Sequence, residues 1–226
     1  MFRDIVNKMI KGKRIMEVRN MMKSRGVPDN VVVVIDAGHG GRDTGAVFED
    51  VVEKDIALKT ALWLGDTLKS VYGWKVHFTR TDDKTVNLWY RNKMACNVGA
   101  DLYVSVHYNA GGNAMTMGGE VWANIPAMER EYDFNFLKEG YTQVHSRWRG
   151  VKDANHWYGR VLYIANPSYR CLSSIPSVLW EVEFVQAVKK FGWWDGKKKD
   201  WTHKGYSDVG FLIGKMAVDL AELMGR

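Results

Sequence analysis

Two histidines and one glutamate stand at positions in the sequence from which their side chains could bind a metal ion. His39 lies in the segment DAGHGG directly after the apolar run 31–35, His107 ends the run LYVSVH, and Glu53 opens a helical pattern between them. Two histidines and one carboxylate leave the fourth position of a zinc ion open, as in catalytic rather than structural zinc sites. Because widely spaced ligands are a weak signal, the residues alone leave a metal site and ordinary structural roles both open.

Alternating strands and helices are predicted to position these side chains. A strand is predicted at 31–36, whose first five residues are all apolar, as is typical of a strand covered on both faces. Further strands are predicted at 74–79, 102–107, 120–123, 161–165 and 177–184, and helices at 53–70, 86–98 and 209–224. This alternation predicts one α/β domain, in which helices flank a mostly parallel, twisted sheet of about six strands. Ligands of such sheets bind beyond the carboxyl ends of the strands, where His39 and His107 lie.

The first thirty residues differ from the rest of the chain. Residues 1–25 contain eight lysines and arginines but only two acidic residues, and apolar residues recur there at helical spacing. We therefore divide the chain into a basic helical N-terminal extension, residues 1–30, and one α/β domain, residues 31–226. The extension either packs on the domain or binds to a cell-wall or membrane surface. It lacks the uninterrupted apolar core of a secretory signal, so export by the ordinary secretory route is not expected.

Composition narrows the class of protein without choosing a partner. Hydrophobic residues make up 46% of the 226 residues and charged residues 26%, as in ordinary globular proteins. No apolar run approaches the roughly 20 residues of a transmembrane helix. The net charge of +6 favours an anionic partner, which nucleic acid, a membrane surface or an acidic wall polymer could each provide. Cys96 and Cys171 are too few for a disulfide framework and are interpreted as small core residues.

Several short motifs, in their order along the chain, resemble those of zinc-dependent N-acetylmuramoyl-L-alanine amidases. They are VVVVIDAGHGGRDTGA, EKDIAL, HFTRTDD, VNLWYRNKMACNVGADLYVSVHYNA, GGEVW and IPSVLWEVEF, and the resemblance covers nearly all of residues 31–224. It implies a peptidoglycan amidase catalytic domain of type 3. Such a hydrolase cleaves the amide bond between N-acetylmuramic acid and the L-alanine of the stem peptide. The implied partner is therefore peptidoglycan rather than nucleic acid, and a monomer is favoured.

The resemblance also implies roles for individual residues. His39, Glu53 and His107 would bind one zinc ion per chain, and Glu181 would be the catalytic general base and acid. Glu183 departs from the family pattern, which usually has glycine there. Since alternate residues of a strand share a face, Glu183 is expected on the side of Glu181, either as its rival or as a like charge that raises its pKa.

Polar residues beside the predicted ligands are candidates for orienting the imidazole rings. They are Asp36, Ser105 and Asn109, and each could equally be an ordinary polar residue at the end of a strand. Arg80 and Arg91 match arginines of the family and are expected to hold the sheet edge by ion pairs.

Two further regions could contact substrate. Glu120 in GGEVW lies either near the cleft or in a structural position at the strand edge. Trp193 and Trp194 belong to the segment FGWWDGKKKDWTHKGY, whose aromatic rings could stack on sugars while its lysines meet anionic wall groups. The alternative is a solvated loop with its tryptophans buried beneath it, and the sequence does not choose between the two.

The biological role is predicted from what the sequence lacks. Without a recognisable signal peptide or wall-binding repeat, the chain suits a phage endolysin that is made in the host cytoplasm and acts on the cell wall. A secreted bacterial autolysin in its mature form would look similar. The sequence also leaves open a zinc peptidase of similar topology. It speaks against a non-enzymatic basic module with a degenerate metal site, because all three ligand residues and Glu181 are present.

Overall fold

Six strands form a central sheet in the computed structural model, which describes residues 20, 23–24, 26–113, 115–124, 132–156 and 160–225. In chain order the strands of the described residues are β1 Val32–Ala37, β2 Val47–Phe48, β3 Val51–Val52, β4 Lys75–Phe78, β5 Leu102–Asn109, β6 Gly119–Ala123, β7 Trp148–Asp153, β8 Ser177–Phe184, β9 Trp194–Asp195 and β10 Asp200–Trp201. The central sheet has the order β4-β1-β5-β8-β6-β7, while β2 with β3 and β9 with β10 form small antiparallel pairs.

The direction of the strands decides where the site can form. Strands β4, β1, β5 and β8 run parallel, so their carboxyl ends meet at one edge of the sheet. Strand β6 runs antiparallel to β8, and β7 runs parallel to β6. The beginning of β6 therefore lies at the same edge as the ends of β5 and β8.

Helices and short turns cover both faces of the sheet. The helices of the described residues are α1 Glu53–Tyr72, α2 Leu88–Asn97, α3 Asn135–Gln143, α4 Val185–Lys190 and α5 His203–Met224. Helix α1 buries Ala57, Ala61, Leu64 and Leu68, the face that the sequence predicts, and these residues share one core with α3 and α5. The opposite face is covered by α2 and the 3₁₀ turns Ala154–His156, Tyr163–Ala165 and Arg170–Ser173. No helix within the described ranges is long and apolar enough to cross a membrane.

The structure confirms the predicted α/β class and the mostly parallel six-stranded sheet. Strand β8 has the predicted bounds, whereas the strand predicted at 161–165 is wrong, because a 3₁₀ turn lies there. The sequence also missed α3 and β7, and α5 begins six residues before its predicted start. Most of the predicted helical extension falls outside the described residues, so the division at residue 30 stays a prediction.

The two cysteines correct one sequence-based interpretation. Cys96 in the last turn of α2 and Cys171 in the turn Arg170–Ser173 form a disulfide, with their Cα atoms 5.7 Å apart. Both residues are half-buried, and Cys171 packs against the core of that face, so the interpretation as small core residues missed their covalent bond to each other. The disulfide instead links the loop segment before β8 to the helix that follows β4.

Candidate metal centre and catalytic site

The three predicted metal ligands meet at the carboxyl edge of the sheet. Glu53 Oε1 lies 3.0 Å from His39 Nε2 and 3.0 Å from His107 Nδ1. One ligand atom from each residue falls within 4.8 Å of the other two. Two imidazole nitrogens and one carboxylate oxygen at this spacing are a donor set that fits zinc.

Glu53 is held in the cluster by the main chain. It is the first residue of α1 and is buried, and its two carboxylate oxygens accept hydrogen bonds from Ala46 N (2.8 Å) and Tyr108 N (3.0 Å). Burial alone would raise the pKa of Glu53, but hydrogen bonds and charge from His107 and His39 outweigh it and lower that pKa strongly. The carboxylate is therefore ionised at neutral pH, as a metal ligand must be.

His39 projects from a loop in which the backbone turns sharply after β1. It adopts a left-handed backbone conformation with φ of 59°, and Gly40 and Gly41 follow with positive φ values. Its Nδ1 lies 2.9 Å from Asp43 Oδ2, so Nε2 is the ring nitrogen that faces Glu53. A carboxylate at one imidazole nitrogen fixes the ring orientation and leaves the other nitrogen for a metal.

Two buried arginines hold this loop in place. Arg80 donates hydrogen bonds to the carbonyl oxygens of Ala37 (3.0 Å) and Gly38 (2.7 Å). Arg91 donates to Ala37 O (2.6 Å) and His39 O (2.7 Å). The sequence predicted that both arginines hold the sheet edge by ion pairs, and the structure shows that much of their bonding goes to the main chain around His39.

A polar network lies beneath His107. Asp36 Oδ2 accepts hydrogen bonds from Ser105 Oγ (2.8 Å) and from the hydroxyl of Tyr163 (2.7 Å), which itself lies 3.2 Å from His107 Nε2. Burial opposes ionisation of Asp36, but the adjacent Arg91 and hydrogen bonds from Thr79 and Tyr163 hold its pKa below the usual range. Asp36 and Ser105 were predicted to orient the imidazoles, and the hydrogen bonds connect them to His107 through Tyr163. The sequence missed this tyrosine, because it assigned 161–165 to a strand.

Glu181 lies beside the ligand cluster without a hydrogen bond to its Oε2. It pairs with His107 across β5 and β8 and with Glu120 across β6 and β8. Its Oε2 is buried and has no hydrogen-bond partner among the described residues. Burial raises the pKa of Glu181 well above the ordinary value, and the charges of Glu53 and Glu120 raise it further, with Lys152 acting in the opposite direction.

Glu183 shares a strand with Glu181 but has different partners. Its Oε1 accepts hydrogen bonds from the main-chain nitrogens of Gly118 and Phe184, and its Oε2 accepts one from Ser146 Oγ. These contacts join β8 to the segments that precede β6 and β7. The structure therefore gives Glu183 a structural role, and the like charges that raise the pKa of Glu181 are Glu53 and Glu120 instead.

Asn109 and Glu120 form a separate polar cluster at the other side of Glu181. Asn109 Nδ2 donates to Glu120 Oε1 (3.2 Å), so the prediction that it orients an imidazole is not supported by its contacts. Glu120 also accepts from Trp122 Nε1 (3.0 Å), Arg149 Nε (3.0 Å) and Lys152 Nζ (2.7 Å). With four donors around it and 3% of its surface exposed, Glu120 is better placed to hold these residues than to bind substrate.

The tryptophans predicted to stack on sugars are buried. Trp193 is 0% exposed and Trp194 is 5% exposed. Trp193 Nε1 donates to Asp208 Oδ2 (2.9 Å), and Trp194 packs edge to face against Trp201 with ring centroids 4.9 Å apart. The prediction that these rings grip a glycan strand is therefore wrong, and the alternative of tryptophans beneath a solvated lysine loop is confirmed.

The chain is similar in sequence to known proteins. A family model described as N-acetylmuramoyl-L-alanine amidase (Amidase_3) matches residues 33–199. The chain is 39% identical over 128 residues to N-acetylmuramoyl-L-alanine amidase CwlM of Bacillus licheniformis, a match that covers 55% of the chain and 49% of the relative. It is 32% identical over 159 residues to the endolysin of Bacillus phage SPP1, covering 68% of the chain and 55% of that protein.

A solved structure extends the similarity to the fold. The crystal structure of N-acetylmuramoyl-L-alanine amidase from Clostridium difficile 630 superposes with a TM-score of 0.65 at 25% sequence identity, covering 85% of this chain and 96% of the other. The chain spans about half the length of the curated relatives named above. From the match over residues 33–199, we conclude that the chain belongs to the N-acetylmuramoyl-L-alanine amidase family.

Proposed function

We propose that the protein is a peptidoglycan hydrolase that cleaves the amide bond between the lactyl group of N-acetylmuramic acid and L-alanine of the stem peptide. One observation supports this proposal above all others. The donor cluster of His39, Glu53 and His107 lies beside Glu181, whose Oε2 is buried and has no hydrogen-bond partner among the described residues, in a chain of the amidase family. Amide hydrolysis by water can use a metal ion to activate the water and the carbonyl group, and an adjacent carboxyl group to transfer protons.

The three ligands would hold one zinc ion per chain through His39 Nε2, the Glu53 carboxylate and His107 Nδ1. Bound zinc would polarise the amide carbonyl and lower the pKa of a neighbouring water molecule. Two observations support zinc as the ion at this site. The donor set is one that zinc prefers, and the other nitrogen of each imidazole ring already has a partner, Asp43 for His39 and Tyr163 for His107. These contacts hold both rings in the orientation that binding needs.

Glu181 would move the protons of the reaction. As a general base it takes a proton from the attacking water, and as a general acid it returns that proton to the alanine nitrogen. The second transfer is needed because an amide nitrogen leaves poorly unless it is protonated. Burial and the charges of Glu53 and Glu120 raise the pKa of Glu181 and favour its acid form. Positive charge in the ligand cluster would act in the opposite direction and make the base form accessible as well.

The experiment is digestion of purified peptidoglycan by the wild type, Glu181→Gln and the control Glu183→Gln, with products identified by mass spectrometry. We expect intact stem peptides with a free N-terminal alanine. Glu181→Gln should reduce the rate by about 10²–10⁴-fold, whereas its zinc content should match that of the wild type. Glu183→Gln should stay within a few fold, because Glu183 contacts Gly118 and Ser146 rather than the cluster. Cleavage inside the peptides, or equal losses in the two variants, would contradict the proposal.

Within this activity, we infer the role of a phage endolysin, made in the host cytoplasm and acting on the cell wall. The similarity to the endolysin of Bacillus phage SPP1 over 68% of the chain supports this role. The similarity to CwlM supports the alternative of a bacterial autolysin. Expression in a Bacillus host together with an inducible membrane pore should lyse the cells when the pore opens. Intact cells, despite wall digestion by the purified protein, would refute the endolysin role.

A further inference from the structure

Tyr163 brings a hydroxyl group to the back of the ligand cluster. It opens the 3₁₀ turn Tyr163–Ala165, on the face of the sheet that α2 covers. Its hydroxyl oxygen lies 3.2 Å from His107 Nε2, 2.7 Å from Asp36 Oδ2 and 2.5 Å from Ser105 Oγ. A single side chain thus connects a buried carboxylate to a predicted metal ligand.

The available protons determine how this connection works. Asp36 is paired with Arg91, so its carboxylate only accepts hydrogen bonds. We assign the one hydroxyl proton of Tyr163 to Asp36, and that of Ser105 to the two acceptors within its reach, Asp36 Oδ2 and the tyrosine oxygen. A lone pair on the tyrosine oxygen can then accept from His107 Nε2–H, 3.2 Å away, and in that tautomer Nδ1, which faces Glu53, is the nitrogen that can bind a metal.

We propose that Tyr163 is a positioning residue that fixes the tautomer and ring orientation of His107 for zinc binding. The inference rests on the ligand set of the proposed function and adds a residue to it. In many metal sites a carboxylate bonds directly to the ligating histidine and fixes it in this way. Here a tyrosine spans the gap between the carboxylate of Asp36 and the imidazole.

Tyr163 is itself held on its other side. Its carbonyl oxygen accepts a hydrogen bond from Asn92 Nδ2 on α2 (2.8 Å), and the next two residues, Ile164 and Ala165, are buried in the core of that face. The disulfide between Cys96 and Cys171 joins the following turn to the same helix. The hydroxyl therefore approaches His107 from a fixed support, which a positioning residue needs.

The test compares Tyr163→Phe with Tyr103→Phe, a matched loss of one hydroxyl on the same face of the sheet. The hydroxyl of Tyr103 lies 3.5 Å from Asn92 Oδ1 and serves as the control. Zinc affinity is measured by competition with a chromophoric chelator. We expect Tyr163→Phe to raise the dissociation constant by about 10–100-fold, and Tyr103→Phe to leave it within twofold. Equal zinc affinities in the two folded variants would overturn the inference.

A second measurement needs only the wild type. Nitrogen-15 NMR of the zinc-bound protein should show a proton on His107 Nε2 that exchanges slowly with solvent. A ring proton of His156, whose side chain is 83% exposed, should exchange quickly. Equal exchange rates, or a proton on Nδ1 of His107, would also overturn the inference. Neither measurement uses peptidoglycan, so a protein that binds zinc in this way without cleaving the wall would refute the proposed function alone.

Discussion

Replacing Gly45 with alanine should disturb the metal centre from a position that supplies no ligand. A Cβ atom at Gly45 would lie 2.5 Å from Glu53 Oε2 and 2.6 Å from His39 Cδ2. Ordinary van der Waals contact begins near 3.4 Å, so one or both side chains would have to move by about 0.9 Å. Metal–ligand distances in functional sites hold to within about 0.2 Å. We therefore expect Gly45→Ala to weaken zinc binding by about 10–100-fold, as other changes that misorient ligands do.

The backbone cost of this substitution has to be separated from its effect on the ligands. Gly45 has a φ of +62°, and alanine in this left-handed region costs roughly 1–2 kcal/mol. Gly99 provides the matched control, because its φ is +60° and a Cβ there would meet no atom within 4 Å. Gly99→Ala should lose about 1–2 kcal/mol of unfolding free energy and keep the zinc affinity of the wild type.

Two assays distinguish these effects. Urea unfolding of the chelator-treated proteins measures the free energy of unfolding without metal, and competition with a chromophoric chelator measures zinc affinity in the folded proteins. The expected result is a large loss of zinc affinity in Gly45→Ala alone. If its zinc dissociation constant lay within twofold of that of Gly99→Ala, His39 and Glu53 would not form the metal centre described above.

Two further predictions concern stability. The cysteines of the Cys96–Cys171 disulfide are 75 residues apart, so its reduction should lower the unfolding free energy by about 4.5 kcal/mol, because the unfolded chain gains the entropy of the opened loop. Urea unfolding with and without reductant measures this loss. Equal midpoints in the two conditions would refute it. Burial raises the pKa of Asp219 to about 7, so the folded protein holds the carboxyl proton more tightly than the unfolded chain does. The stability that this protonated group contributes is therefore lost as the pH rises from about 4 through 7. Asp219→Asn cannot ionise, so urea unfolding at pH 5 and pH 8 should show a smaller loss of stability in the variant than in the wild type, and an equal loss would refute the assignment.

The sequence predicted the features that arise from neighbouring residues and strand patterns. The apolar run before DAGHGG predicted a buried strand, and the glycines after it predicted a sharp turn that presents His39. The same reasoning placed His107 near the end of a parallel strand, and parallel strands bring their carboxyl ends to one edge. The residues themselves also offered Glu53, at the start of the following helix, as a third ligand, and the resemblance added Glu181. The structure brings Glu53 into the ligand cluster and Glu181 beside it.

Contacts between distant parts of the chain could not be predicted in this way. Tyr163 reaches Asp36 across 127 residues, and the sequence around it carries no motif that links the two. The clusters of arginine, tryptophan and cysteine were interpreted from short segments of sequence alone. In the structure, Arg80 and Arg91 donate to main-chain carbonyl oxygens, Trp193 and Trp194 are buried in the core, and the two cysteines bond to each other.

The two glutamates of β8 show where the sequence stops and the tertiary structure decides. Strand alternation by itself placed Glu181 and Glu183 on one face, because that depends only on the two-residue period of the backbone. Which of them keeps a free carboxyl oxygen depends on the neighbouring segments. Gly118 and Ser146 occupy the oxygens of Glu183, whereas Oε2 of Glu181 has no partner within the part of the chain that the structure describes. The sequence determined the candidates, and packing across the sheet determined which one is available for chemistry.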